Sequence, residues 1–204
     1  PHSLGIFYQA LTQFIGFTKY GDEYKLMGLA PYGKPTYLKE IRKLIKIDLQ
    51  NQFRLNIEYF THHREHSEFL WNNGEPKFNN LYSSKLIKLL GPPREKDAPI
   101  TQRHKDLAYC TQAVYEEVFF GLLNFLHKKY KLDNLIIVGG CGYNSTANGK
   151  IRLHTNFKNI YIPSAAGDAG GAIGAALQGF IENSKKKINL SNLQLVNNSS
   201  LGPK

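Results

Sequence analysis

The chain of 204 residues carries a net charge of +10, and its 42% hydrophobic content is ample for a folded core. No stretch approaches the roughly 18 apolar residues of a membrane span, so no membrane-spanning segment is expected. Lysine and arginine are spread along the chain rather than gathered in one basic stripe with aromatic residues, so nucleic acid is not the expected partner. Cys110 and Cys141 lack metal-type spacing, which predicts reduced thiols in a cytoplasmic protein.

The N-terminal part of the chain predicts two helices. Ser3 is the expected cap of the first, whose apolar residues from Leu4 to Ile15 recur at helical spacing. Residues 20–33 mix glycine with charged and aromatic residues, which predicts a short helix packed between turns. Lys25 in that segment is the catalytic candidate, because a point charge there could reach a phosphate oxygen; an ordinary solvated lysine is the alternative.

The sequence pattern changes between residues 36 and 100. This segment predicts an insertion or subdomain that is mainly helical and rich in loops. A helix is expected over 37–45, an alternating strand over 53–57 and a helix over 83–90. The segment also contains His62 and His66, which would share a helical face and suit zinc. No further cysteine or carboxylate cluster completes a tetrahedral site, so a surface loop is the favoured interpretation.

A long helix capped by Thr101 and reaching about residue 129 leads into the part of the chain richest in chemistry. Residues 135–138 predict a buried strand that ends at Gly139 and Gly140, and residues 160–162 predict a second strand that stops at Pro163. A glycine-rich helix is expected over 169–181. This order indicates α/β construction, and both turns would open at one sheet edge if the strands share a sheet.

Asp168 precedes that glycine-rich helix and has two interpretations. An aspartate there can cap the helix by accepting its free N–H groups, which needs no function. The neighbouring backbone from Gly167 through Gly170 and Gly171 also suits a phosphate, and the Asp168 carboxylate suits a cation that bridges to it. The sequence therefore predicts a phosphate and cation site at this turn beside the cap interpretation.

Four blocks of sequence stand in order along most of the chain, namely residues 1–8, residues 21–33, Gly139-Gly140 with Asn144 and residues 147–150, and residues 167–176. Together they resemble the O-carbamoyltransferase family of nodulation and antibiotic biosynthesis. The resemblance implies an RNase H-like, actin-like ATPase half-domain, the second half of that domain. It also implies an enzyme that makes carbamoyl adenylate from carbamoyl phosphate and ATP and passes the carbamoyl group to a hydroxyl of a sugar or similar small molecule.

The same resemblance assigns ligands to named residues. Gly139, Gly140 and Asn144 match its nucleotide-side glycine motif, and Asp168 matches an aspartate that helps hold an active-site divalent metal, with iron the metal implied. Together with Gly167 and Gly170, whose backbone suits a phosphate, these residues form the expected ATP and metal site. The family's histidine ligands are expected before residue 1, so His62 and His66 do not replace them.

The expected domain division follows from this resemblance. Residues 1–35 and 101–184 form the actin-like core, residues 36–100 the insertion, and residues 185–204 a linker toward a separate C-terminal domain. The partners are then the N-terminal half and the C-terminal domain of the same protein, and a homodimer is left open. This piece alone is expected to be inactive. Alternatives are a sugar kinase or other actin-like ATPase, and a non-catalytic nucleotide-binding module.

Overall fold

A computed structural model describes residues 1–48, 52–64, 70–72, 75–77 and 79–184. The chain divides into two compact units. The first contains Pro1–Lys131 with Leu153–Asn156, and the second contains Leu132–Arg152 with Phe157–Lys204. Helices and short strands alternate, so the fold is mixed α/β with small sheets. No described helix combines the length and apolar content needed to cross a membrane.

The first unit is built mainly from helices and two short hairpins, and several short 3₁₀ turns connect them. Its β1 and β2 pair antiparallel, as do β3 and β4. The elements are α1 Leu4–Phe14, α2 Glu23–Leu29, α3 Leu38–Arg42, β1 Ile45–Ile47, β2 Phe53–Leu55, β3 Leu70–Asn72, β4 Glu75–Lys77, α4 Ser84–Leu90 and α5 Gln102–Tyr130.

Helix α5 is the element on which the first unit packs. The predicted cap is confirmed, because Thr101 and His104 form a reciprocal capping box at its start. Helix α1 packs on its buried side, where the Tyr8 hydroxyl donates to Gln112 Oε1 at 2.6 Å. The Tyr8 and Tyr115 rings meet edge to face with centroids 5.4 Å apart. The predicted α1 is also confirmed, with Ser3 Oγ accepting from the N–H groups of the first turn.

Asp106 ties the loop after α2 to α5. Its buried carboxylate accepts from Lys34 N and Thr36 Oγ1, each at 2.9 Å, and from Gln102 Nε2 at 2.7 Å. Gly33 in the same loop lies so close to the helix that an added Cβ would overlap the Lys105 carbonyl oxygen. The hydrogen bonds hold the loop against the helix, and the absence of a side chain at Gly33 permits the close contact.

Two sequence expectations for the first unit need correction. The helix expected over 37–45 spans only Leu38–Arg42, because Ile45 pairs with Leu55 in a hairpin. The strand expected over 53–57 ends at Leu55, where the chain enters a 3₁₀ turn. The favoured loop interpretation agrees with the structure at His62, which lies in a turn with Nε2 2.8 Å from the Pro1 carbonyl oxygen, while His66 lies outside the described residues.

The second unit contains a parallel pair of strands, three helices and the connecting turns. Strand β5 pairs with β6, with Leu135 opposite Ile160. The predicted domain division into core, insertion and linker stays a prediction, and residues 185–204 lie outside the described part of the chain. The described elements are β5 Asn134–Ile136, α6 Ser145–Asn148, α7 Ile151–His154, whose residues Leu153 and His154 belong to the first unit, β6 Asn159–Tyr161 and α8 Gly170–Asn183.

The Asp106 anchor predicts a large loss of stability when its carboxylate is removed. Asp106→Ala leaves three donors without their acceptor, two of them in the exposed loop where water can replace it, and should lower the free energy of unfolding by roughly 1.5–3 kcal/mol. Glu117→Ala on the same helix is the matched control, because its ion pair with Arg42 is exposed and should contribute less than about 1 kcal/mol. Denaturant unfolding measures both variants, and equal losses would contradict the anchor.

The pH dependence of the free energy of unfolding provides a second test of Asp106→Ala. Burial raises the pKa of Asp106, but the hydrogen bonds from Gln102, Thr36 and Lys34 outweigh it and place the pKa below its ordinary value of 3.8. A carboxyl group whose pKa is lower in the folded chain than in the unfolded chain stabilises the fold at pH values above the unfolded pKa. This stabilisation is lost as the pH falls through the folded pKa. Asp106→Ala should therefore lose part of the acid dependence of unfolding that the native chain shows.

Candidate functional site

The two predicted glycine turns follow neighbouring parallel strands of one sheet. The expectation that these strands share a sheet is confirmed by the pairing of β5 with β6. The ladder extends past β5, since Ile137 N donates to the Tyr161 carbonyl oxygen at 3.1 Å. Because parallel strands end at the same edge, the turn after β5 and the turn after β6 leave the sheet side by side.

The two turns are joined directly by a backbone hydrogen bond. Gly139 N donates to the Ala166 carbonyl oxygen at 2.6 Å. Gly139 has φ +98°, a backbone conformation that residues other than glycine rarely adopt. Beside this bond the turns pack tightly, because a Cβ on Gly142 would lie 3.0 Å from Ala166 Cβ and one on Gly167 would lie 2.8 Å from the Tyr143 ring. The glycines therefore permit the close approach of the two turns.

A cleft of about 550 Å³ opens at this junction. Four of the predicted site residues line it, namely Gly139, Gly167, Asp168 and Gly170. Its volume falls within the range of about 300–1,000 Å³ that is usual for small-molecule sites. The cleft lies wholly within the second unit, so one compact part of the chain forms it.

Asp168 stands at the cleft with an exposed side chain. The prediction that it caps the following helix is wrong. Gly170 N donates to the Gly167 carbonyl oxygen and Gly171 N to the backbone carbonyl oxygen of Asp168, each at 3.0 Å, and the cap position is Ala169. The Asp168 carboxylate makes no hydrogen bond or ion pair with any residue that the structure describes, so it is available to a ligand.

The chain that forms this cleft is similar in sequence to a known protein family. Residues 1–177 match the family described as "Carbamoyltransferase N-terminus". The chain belongs to that carbamoyltransferase family. The match includes Lys25 and every residue of the predicted site.

Three curated relatives share most of the chain. An uncharacterized protein of Synechocystis sp. is 42% identical over 179 residues, 87% of this chain and 27% of its own length. Nodulation protein NolNO of Sinorhizobium fredii is 34% identical over 175 residues, 86% of this chain and 22% of its length. Nodulation protein NolO of Bradyrhizobium diazoefficiens is 31% identical over 177 residues, 86% of this chain and 28% of its length. The chain thus spans about a quarter of the length of these relatives.

Two of the predicted nucleotide-side residues of this carbamoyltransferase chain do not line the cleft. Asn144 is buried and caps α6, with its Oδ1 accepting from Ala147 N at 3.0 Å. Gly140 begins a 3₁₀ turn, and a Cβ there would meet open space. Asn144 therefore shapes the chain behind the first turn, and the lining residue of that turn is Gly139.

Lys25 belongs to the first unit, whereas the residues that line the cleft belong to the second. Its Nζ forms an ion pair of 2.6 Å with Oδ1 of Asp22, a carboxylate that is only 6% exposed. The hydrogen bond to Asp22 raises the pKa of Lys25. The ammonium group also lies 5.7 Å from the ring centroids of Phe17 and Tyr24. Sequence reasoning did not foresee Asp22 as its partner, although the spacing of the two residues on a short helix contains that signal.

The metal that the family resemblance implies finds only part of a site in this chain. The Asp168 carboxylate supplies the oxygen chemistry that a divalent cation accepts. The described residues contain no group of three His, Cys, Asp or Glu side chains that could hold a metal ion. They do not fit a complete metal centre, and no step of a reaction is assigned to a metal here.

The cleft walls also include apolar side chains that sequence reasoning missed. Val138, Tyr161 and Ile173 line the cleft beside the glycine turns. Alternation along a strand indicates which residues share a face, but it does not indicate which face is left open. Their exposure could be found only from the packing of the folded chain.

The crowding at Gly170 generates a stability prediction. A Cβ at this position would overlap the Ala165 carbonyl oxygen, so Gly170→Ala should distort the turn and lower the free energy of unfolding by about 1–3 kcal/mol. The adjacent Gly171→Ala meets open space and should be neutral or stabilise α8 by up to about 1 kcal/mol. Thermal unfolding of both variants measures the difference. A Gly170→Ala variant as stable as Gly171→Ala would show that the turn is not so confined.

Proposed function

We propose that the protein containing this sequence transfers a carbamoyl group from carbamoyl phosphate, through carbamoyl adenylate, to a hydroxyl of a sugar or a similar small molecule. The proposal rests first on membership of the carbamoyltransferase family, whose match covers residues 1–177. The observation that carries it to a site is the cleft at the junction of the Gly139 turn and the Gly167–Gly170 turn. ATP is the proposed ligand of that cleft.

The cleft has the chemistry that a nucleotide phosphate requires. Glycine, alanine and serine make up much of its turns, so the backbone there is little obstructed by side chains. A 14-residue helix, α8, begins at the cleft, and the N-terminus of a helix favours negative charge. The proposed nucleotide contacts are Gly139, Gly167 and Gly170, with Gly140 and Asn144 supporting the first turn from behind. The N–H groups of Gly139 and Gly170 already donate to the Ala166 and Gly167 carbonyl oxygens, so these two glycines contribute close approach to the ligand rather than a hydrogen bond.

Asp168 gives the cleft its one acidic side chain among the described lining residues. A carboxylate beside a phosphate is repulsive unless a cation lies between them. We propose that Asp168 contributes one oxygen ligand to a divalent cation, iron by the family resemblance, with the remaining ligands supplied by residues other than those described. This role explains why an exposed carboxylate without a described partner stands at the cleft.

The chemical step is an acyl-type transfer. The acceptor hydroxyl oxygen attacks the carbamoyl carbon, the new C–O bond forms, and the bond from that carbon to the adenylate phosphate oxygen breaks, so AMP leaves. The hydroxyl proton must pass to a base, which we do not assign. Lys25 was the catalytic candidate, but its ammonium is held by Asp22, so we propose that it orders the loop around α2 through this ion pair.

The finer architecture is also a proposal. The parallel strands, the glycine turns and α8 support an actin-like, RNase H-type half-domain, with residues 36–100 as its insertion. The N-terminal half and the C-terminal domain expected from the resemblance would be parts of the same protein. The relatives, which are about four times as long as their aligned segments, accommodate both.

Asp168→Asn provides the functional test. The protein that contains this sequence is incubated with ATP, carbamoyl phosphate and a panel of sugar acceptors, and the products are identified by mass spectrometry. We expect carbamoylated acceptor with the native protein and roughly 100-fold less with Asp168→Asn, because the neutral amide would no longer hold a cation beside the phosphate. Glu182→Gln, which neutralises an exposed carboxylate on α8, is the matched control and should keep native activity.

Two outcomes would count against the proposed function. Phosphorylated acceptor in place of carbamoylated acceptor would identify a kinase of the same architecture. Native activity in Asp168→Asn would show that the cleft is not where the reaction occurs.

A further inference from the structure

One wall of the cleft is apolar and open. Val138 is 67% exposed, Tyr161 44% and Ile173 39%, and all three line the cleft together with its backbone-rich turns. They come from three separate parts of the chain, namely the segment that follows β5, the end of β6 and the first turn of α8. Apolar side chains do not bind a phosphate or a cation. The roles proposed for the turns and for Asp168 therefore do not explain why these three side chains line the cleft.

Tyr161 is the only aromatic residue among the described residues that line the cleft. Its backbone is fixed, because it lies opposite Ile136 in the β5–β6 ladder and its carbonyl oxygen accepts from Ile137 N. Its hydroxyl makes no hydrogen bond with the part of the chain that the structure describes. The ring is therefore anchored at its base, half exposed, and not committed to another group.

We propose that Tyr161 is the aromatic platform on which the adenine base of ATP stacks, with Val138 and Ile173 completing an apolar seat for the base. This inference rests on the proposed function, in which the cleft binds ATP. A nucleotide has one flat, weakly polar end and one highly charged end, and the cleft offers a surface for each. The glycine turns and Asp168 take the phosphate end, and the apolar wall takes the base.

The division of roles within the cleft has a measurable signature. Stacking on an aromatic side chain depends on the ring and not on the tyrosine hydroxyl. Removing the ring should weaken ATP binding about tenfold, within the range that base–aromatic stacking contributes. Removing only the hydroxyl should change the affinity by less than about twofold, since that group has no described partner to lose. The affinity for a ligand that has phosphates but no base should be unchanged by either substitution.

Calorimetric titration of the protein that contains this sequence tests the platform with two probes, ATP and inorganic tripolyphosphate. We expect Tyr161→Ala to weaken ATP binding about tenfold and to leave tripolyphosphate binding unchanged, and Tyr161→Phe to match the native protein for both. Tyr130→Ala is the matched control, because Tyr130 is 58% exposed at the end of α5 and does not line the cleft. It should bind both probes as the native protein does.

The outcomes separate this inference from the proposed function. If the native protein binds ATP and Tyr161→Ala binds it equally well, the platform is overturned while the proposed function stands. An equal loss of ATP and tripolyphosphate would also overturn it, because a base platform cannot act on a ligand without a base. Failure of the native protein to bind ATP would overturn the proposed function and the platform with it.

Discussion

The hydrogen bond from Gly139 N to the Ala166 carbonyl oxygen is the contact on which the candidate site depends. It can form only because β5 and β6 run parallel and end together, and because Gly139 adopts a positive φ that turns its N–H toward the second turn. The turns then approach so closely that Gly142 and Gly167 leave no room for a Cβ without a shift of their neighbours. The cleft is the space left in front of this junction.

The chemistry of the cleft follows from what this close packing leaves free. The backbone carbonyls of Gly167 and Asp168 satisfy the first N–H groups of α8, so the Asp168 carboxylate is not needed as a cap. The same packing covers neither Tyr161 nor Val138. A carboxylate, a backbone-rich turn and an apolar wall therefore face one volume, which is the combination that a nucleotide with a cation would use. By contrast, the Lys25 ammonium is paired with buried Asp22, and its geometry favours a structural role.

Sequence patterns predicted those parts of the fold that local signals control. Helical spacing and a polar cap identified α1 and α5, and short apolar runs that end at glycine or at proline identified the two parallel strands. The first of these strands was expected to be buried, but β5 is largely exposed, with Ile136 67% exposed. The patterns failed where a distant contact overrides a local preference: Ile45 leaves its predicted helix to pair with Leu55, and Asp168 loses its capping role to backbone carbonyls. Within the candidate site, glycines and an aspartate were visible in the sequence because turns demand them. The apolar wall was not, because exposure depends on how the whole unit packs.

The central claim is that ATP binds where the two glycine turns meet. A crystal structure of the protein that contains this sequence, grown with a non-hydrolysable ATP analogue, tests it most directly. The account predicts phosphate density against the backbone at Gly139 and at residues 167–170, with Asp168 facing the same density through a cation. Nucleotide density elsewhere in the protein, with the cleft at Gly139 filled by protein side chains, would contradict it.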